Sequence, residues 1–246
     1  MKLSVRLLSA LFVLIFTLPS RSQTISDSLF VAHATNYTVN NYLNQLKSEA
    51  PIYDGQKYLP DLRLDENGHT LFLSNQYTKG SVVYDGHLFN NVDMEYDLVH
   101  DQLVLLNYDR VSGIVLKQAH VDSFYLHGHS FVHIRPADIK AKEIRPGYFE
   151  LLYNGKVDLL AKRIKTISET TTQYKVKRTV EQQDFYYVHK DSSYIRIRNK
   201  KDLFSVFGDT HTSKESQQYL KSQHINFRKD KEKAMLALLK WHDSKM

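Results

Sequence analysis

The 246-residue chain contains no cysteine, which removes disulfides, thiolate zinc sites, a cysteine nucleophile and a lipid-modified cysteine in one step. Several chemical signatures are missing too. There is no Gly-x-Ser-x-Gly elbow, no His-Glu-x-x-His helix, no phosphate loop and no dinucleotide fingerprint. Proline and glycine are scarce, five and nine, and no linker rich in Pro, Gly or Ser divides the chain. No apolar run reaches the roughly 20 residues needed to span a bilayer as a helix.

The longest apolar run, Leu7 to Leu18, follows Lys2 and Arg6 and is broken by Pro19, Ser20 and Arg21. That is the layout of a secretory signal peptide over residues 1–22, with cleavage expected near Ser22/Gln23 and a periplasmic or extracellular destination. Its loss removes three cations and no acid, so the formal charge falls from +6 to +3. The remaining residues, 23–246, suit one large domain or two small ones and suffice to bury a core. An exported chain without cysteine fits a bacterial envelope or secreted protein better than a product of the oxidising endoplasmic reticulum. In that setting the acceptor-like triplet Asn36-Tyr37-Thr38 carries no weight.

Leu29, Ala32, Val39, Tyr42, Leu43 and Leu46 recur near helical spacing and predict a helix over 28–48, ending before Pro51. From Pro51 the pattern becomes one of strands and turns. Ile52-Tyr53-Asp54-Gly55, Val83-Tyr84-Asp85-Gly86 and Leu152-Tyr153-Asn154-Gly155 each predict a hairpin, because Asp-Gly and Asn-Gly tolerate the positive φ of tight turns. Leu88, Val92, Met94 and Tyr96 share one parity against His87, Asn91, Asp93 and Glu95, which predicts a strand with one wet face. Phe185–Val188 is expected to reach the strand Tyr194–Arg198 through a turn at His189-Lys190-Asp191-Ser192. After Asn199 the pattern is helical. Asn199 is expected to cap Lys200–Phe207 with Gly208 as its stop, Ser213 a helix through Leu220, and Asp230 a helix over Lys231–His242 with Ala234, Leu238 and Trp241 as its core stripe. The expected class is α+β: an N-terminal helix, a large twisted antiparallel β-sheet of about ten strands, curled toward a partial barrel, and short C-terminal helices. A single domain over 23–246 is the economical division, with a C-terminal helical subdomain over 199–246 as the alternative.

The stretch from Asp184 to Leu203 with its Lys-rich helical tail, the segment Gly80-Ser-Val-Val-Tyr-Asp-Gly86 and the strand Asp93–Asp97 resemble exported proteins of the Bacteroidota that have no assigned activity. The resemblance implies location and architecture and no functional residue.

Candidate chemistry is sparse. His127, His129 and His133, with His120 upstream, would line one face of a continuous strand opposite Phe124, Leu126, Val132 and Ile134 and could approach a metal ion. His127-Gly128 also has the form of a two-residue turn, which would detach His127 from that face. The acid pairs Asp93/Glu95 and Asp97/Asp101 could serve glycoside chemistry, although alternating acids also mark a wet strand. The basic runs Lys175–Arg178 and Arg196–Lys201, interleaved with Tyr174, Tyr186, Tyr187 and Tyr194, read as a solvated strand face or as a docking surface for anionic lipid, glycan or acidic protein. Export argues against nucleic acid. The sequence therefore names no catalytic residue, no metal ligand and no cofactor. It points to an exported non-catalytic envelope or secreted module that binds a protein partner or an apolar ligand on a concave sheet. The alternative is an exported hydrolase, metal-assisted through His129 and His133.

Overall fold

The computed structural model describes residues 42, 45–60, 64, 68–139, 144–171, 176–207 and 210–245. The expected leader over 1–22, its cleavage point, most of the expected 28–48 helix, Tyr174, Lys175 and the Gly208 stop lie outside the described residues. The chain divides into two units, Met1–Gln45 and Leu46–Met246, and every element below belongs to the second.

Eleven strands form one antiparallel sheet: β1 (Gln56–Lys57), β2 (Thr78–Tyr84), β3 (His87–Asp97), β4 (Gln102–Leu106), β5 (Gly113–Val115), β6 (Val121–Leu126), β7 (His129–Ile134), β8 (Gly147–Tyr153), β9 (Asp158–Thr171), β10 (Val176–Lys190) and β11 (Ser193–Ile197). Their order is β1-β5-β4-β3-β2-β6-β7-β8-β9-β10-β11, so the sheet is open, with β1 and β11 at its edges. Among the described residues no helix is long and apolar enough to cross a membrane.

Three hairpins close through two-residue turns in which both residues have positive φ: Asp85-Gly86, His127-Gly128 and Asp191-Ser192. That backbone matches the right-handed twist of the flanking strands. Leu152–Gly155 also leads from β8 into its antiparallel neighbour β9, with residues 154–157 as the loop. The segment Ile52-Tyr53-Asp54-Gly55 is not a hairpin. Pro51–Tyr53 forms a 3-10 turn and the chain then pairs across the sheet with β5. Gly55 serves close approach, since a Cβ there would fall 2.2 Å from the Val115 carbonyl oxygen.

The alternation expected in β3 is also interrupted. Gly80 pairs with Val92 but Ser81 pairs with Asn90, so Asn91, with φ of 56°, is an extra bulged residue. The bulge reverses parity: Phe89 rather than Leu88 packs on the core with Val92, Met94 and Tyr96, and Leu88 is exposed. Nor is the opposite face wet throughout, because Glu95 and Asp97 are buried.

One face of the sheet carries two apolar cores. The first gathers Val82, Met94, Tyr96, Leu103, Phe124 and Phe131 under Ala50, Ile52 and Phe72. The second gathers Leu159, Ala161, Tyr186, Val188 and Ile197 under the helices α1 (Lys200–Phe207), α2 (Thr210–Ser222) and α3 (Lys231–Lys245). A third, on the reverse face, contains Phe149, Leu160 and Tyr187.

Asn199 caps α1 as its sequence requires. Its Oδ1 accepts the backbone N–H of Lys201 (2.8 Å) and Asp202 (3.3 Å), while Asp202 accepts those of Arg198 (2.7 Å) and Asn199 (3.2 Å). The helix expected after Ser213 instead begins at Thr210. In α3, Ala234, Met235, Leu238 and Leu239 are fully buried, and each leucine so placed contributes roughly 1.5–3 kcal/mol. Trp241 stacks on Tyr219 at 5.0 Å, joining α3 to α2.

Candidate functional site

The charged residues fall into two arrangements. In the first, cations are buried and paired. Arg163 of β9, which lies on the core face between the two apolar clusters, bonds Glu150 (2.7 Å from Nε), Asp184 (2.6 Å) and Glu232 of α3 (2.8 Å). Glu150 also meets His129 Nδ1 at 2.5 Å, and Glu232 accepts Tyr186 Oη at 3.1 Å. Burial alone would weaken the guanidinium's hold on its proton, but Glu150, Asp184 and Glu232 outweigh it and raise its pKa. Lys162 reaches Asp101 (2.5 Å) and the Tyr148 carbonyl (3.0 Å), and Tyr96 Oη donates to the same Asp101 (2.5 Å). Lys165 donates to the carbonyls of His69 (2.9 Å) and Leu71 (2.7 Å). Removing one partner from such a group leaves an uncompensated buried charge, so these residues hold the sheet to its surroundings.

In the second arrangement, cations gather and none forms an ion pair among the described residues. The end of β11, the first turn of α1, the end of α2 and the turn before α3 enclose a cleft of about 970 Å³. Arg198, Lys200, Lys201, Lys221, Arg228 and Lys231 line it. No carboxylate lines it, and none of the six forms a salt bridge among the described residues. Asp202, whose field reaches Lys231, is occupied by the two backbone N–H groups it caps. Lys231 lies over the Tyr186 ring at 5.1 Å, and burial followed by the charge of Arg196 lowers its pKa. Two like charges about 10 Å apart repel by about 0.4 kcal/mol even in water, so the cluster is a standing cost that a bound anion would relieve.

The local sequence explains the shape. α2 ends in a Schellman turn: His224 takes a positive φ of 54°, its N–H bonds the Lys221 carbonyl (3.1 Å), and the Ile225 N–H bonds that of Leu220 (3.0 Å). The turn sets Ile225 against Leu220, and these two with Phe227 supply apolar walls. Asn226 Oδ1 then accepts the N–H groups of Arg228 (2.9 Å) and Lys229 (3.4 Å) as the chain turns into α3.

The residues singled out from sequence meet different fates. His127 occupies a turn, and its ring lies 6.3 Å from Phe72, against which His129 also packs at 5.2 Å. Burial, then the neighbouring His129, lowers the His127 pKa. His129 is held by Glu150, and His133 Nδ1 faces the Val121 carbonyl at 3.0 Å. Fully buried Phe131 stands between them on the same strand face, so β7 does not bring His129 and His133 onto one ion. Among the described residues no group of three His, Asp or Glu is disposed to hold a metal. His120 meets Asp85 at 2.5 Å and stacks on Tyr84.

The acid pairs are engaged individually. Asp93 binds Lys79 and Arg110 at the surface, and Asp101 belongs to the Lys162 network. Asp97 accepts from Tyr58 Oη (2.8 Å), two backbone N–H groups and His100 (2.9 Å); these bonds outweigh burial and lower its pKa. Glu95, beside it, is buried and makes no such bond among the described residues, and burial followed by the Asp97 charge pushes its pKa up to about 7.

Of the basic runs, Arg178 pairs with Glu169 at 2.8 Å, and Arg196 covers the Phe185 ring at 4.6 Å. Arg198, Lys200 and Lys201 of the second run reach the cleft. Lys221, Arg228 and Lys231 were not singled out from sequence. The available signal was their position flanking helix boundaries that converge on the same strand end.

Comparison with protein-family models, with curated proteins and with solved structures finds no match to this chain.

Proposed function

We propose that this chain is a non-catalytic binding module of a bacterial envelope or its surroundings, and that the basic cleft is its recognition surface for an acidic partner. The observation that carries this reading is the set of six cations, unpaired among the described residues, around one cavity. Sites of that kind focus field lines and raise both the local concentration and the on-rate of anions. Export, expected from residues 1–22, sets nucleic acid aside and leaves acidic proteins, glycans and lipids as partners. The cavity on the sheet around Ser81, Val83, Leu88 and Tyr125 is smaller, about 310 Å³, and no charged residue lines it. The metal-assisted hydrolase reading has less support, because Phe131 separates His129 from His133.

The test is retention on a heparin column in a salt gradient, heparin serving as a generic polyanion. The triple variant Lys200→Gln, Lys201→Gln, Arg228→Gln should elute at clearly lower salt than the unaltered protein while unfolding at the same or a slightly higher temperature. Elution at unchanged salt would sink the proposal.

A further inference from the structure

Charge says that the ligand is anionic; the rest of the lining says more. The same cleft that gathers the six cations has walls of Leu220, Ile225 and Phe227, side chains from the margin of the C-terminal core. A site built only for a polyanion has no use for apolar walls, since a sulfated or phosphorylated chain gains nothing by desolvating them. The polar side chains between the cations are the amides of Asn199, Gln217 and Asn226. The carbonyl oxygens of Asn199 and Asn226 are already committed to backbone N–H groups, which leaves their NH₂ groups as the available function. Apart from Gln217, the side chains of the lining therefore offer hydrogen-bond donors and hydrophobic surface and hardly any acceptors.

We infer that the cleft binds an extended segment of an acidic protein in which carboxylates alternate with apolar side chains. This deepens the reading of the cleft as the recognition surface and rests on it. Each class of lining group has a counterpart in such a segment. Carboxylates meet the lysines and arginines, main-chain carbonyls meet the amide NH₂ groups, and the intervening apolar side chains meet Leu220, Ile225 and Phe227. A strand-like peptide presents the two kinds of side chain on opposite sides at a period of two, which suits a cleft lined by exposed cations and by the less exposed Ile225 and Phe227. The volume, about 970 Å³, is at the upper end of ordinary ligand pockets and exceeds what a single inorganic anion fills. A planar bilayer is a poorer match, because a flat surface meets the exposed cations and not the less exposed Ile225 and Phe227.

The test uses fluorescence anisotropy on the full chain without its leader and two labelled peptides of equal charge, Glu-Leu-Glu-Phe-Glu-Leu-Glu and Glu-Ser-Glu-Ser-Glu-Ser-Glu. The mixed peptide should bind at least about tenfold more tightly, the gain expected from burying one or more apolar side chains. Phe227→Ser should reduce that preference to about twofold or threefold while leaving the serine peptide's affinity unchanged. Ile225→Ser is the second variant, should Phe227→Ser fail to fold. Equal affinity for the two peptides, or tighter binding to phosphatidylglycerol vesicles than to the mixed peptide, would overturn the inference. So would binding of heparin with neither peptide bound, an outcome that leaves the basic, anion-binding cleft standing. Loss of that broader reading would show differently, as heparin retention indifferent to Lys200→Gln, Lys201→Gln, Arg228→Gln.

Discussion

Arg163 and Arg228 have the same side chain and opposite circumstances. Arg163 is buried where the two apolar clusters of the sheet meet, with Glu150, Asp184 and Glu232 around it. Arg228 stands exposed in a cleft with five other cations and no acid in the lining. Where the protein needs a charge for its own architecture, it supplies carboxylates from β8, β10 and α3. Where it leaves charge unmatched, it leaves six cations together. The difference separates a structural knot from a surface that no carboxylate lines among the described residues.

The largest effect is expected at the knot. Arg163→Met should cost about 3–5 kcal/mol in urea unfolding, because it strands three carboxylates, one of them on α3, where no other described cation is bonded to them at comparable burial. A loss below about 1 kcal/mol would place Arg163 with ordinary surface pairs and remove the contrast.

A smaller effect tests a third circumstance, a buried acid that has no ion-pair partner among the described residues and is held protonated. Glu95 keeps its proton in the folded protein up to about pH 7, whereas its ordinary value is 4.5. Because the folded pKa is the higher one, the unfolded chain releases this proton first as pH rises. The contribution of Glu95 to stability is therefore undiminished below about pH 4.5, declines between about 4.5 and 7, and stays reduced above that. Glu95→Gln should stabilise the protein by about 1–2 kcal/mol at pH 8, with residual solvent screening allowed for, and change little at pH 4. Equal effects at both pH values would show that packing and not protonation is involved. The cleft itself should show the smallest effect on stability, since neutralising exposed cations that have no partner removes only repulsion.

The parts of this structure that were legible in sequence are those fixed by neighbouring residues. Asp85-Gly86 and His127-Gly128 turn where they should because the backbone they require is written in two residues. Asn199 caps α1 because the groups it bonds lie two and three positions on. What was not legible depends on partners far along the chain. The bulge at Asn91 is defined only against Gly80 and Ser81, and it turned the expected placement of Leu88 inside out. Asp97 is buried and bonded by the hydroxyl of Tyr58, 39 residues away. Half of the cleft was visible as the run Arg198–Lys201. The other half required knowing that a Schellman turn at His224 brings Lys221 and Arg228 back to the same strand end.

Whether the C-terminal cleft or the open sheet recognises the partner is decided by nuclear magnetic resonance on labelled protein titrated with hexaglutamate. Shift changes should be confined to Arg198–Lys201, Gln217–Lys221 and Ile225–Lys231 and be abolished by Lys200→Gln, Lys201→Gln, Arg228→Gln. Changes centred instead on the open sheet face around Leu88 and Tyr125 would contradict it.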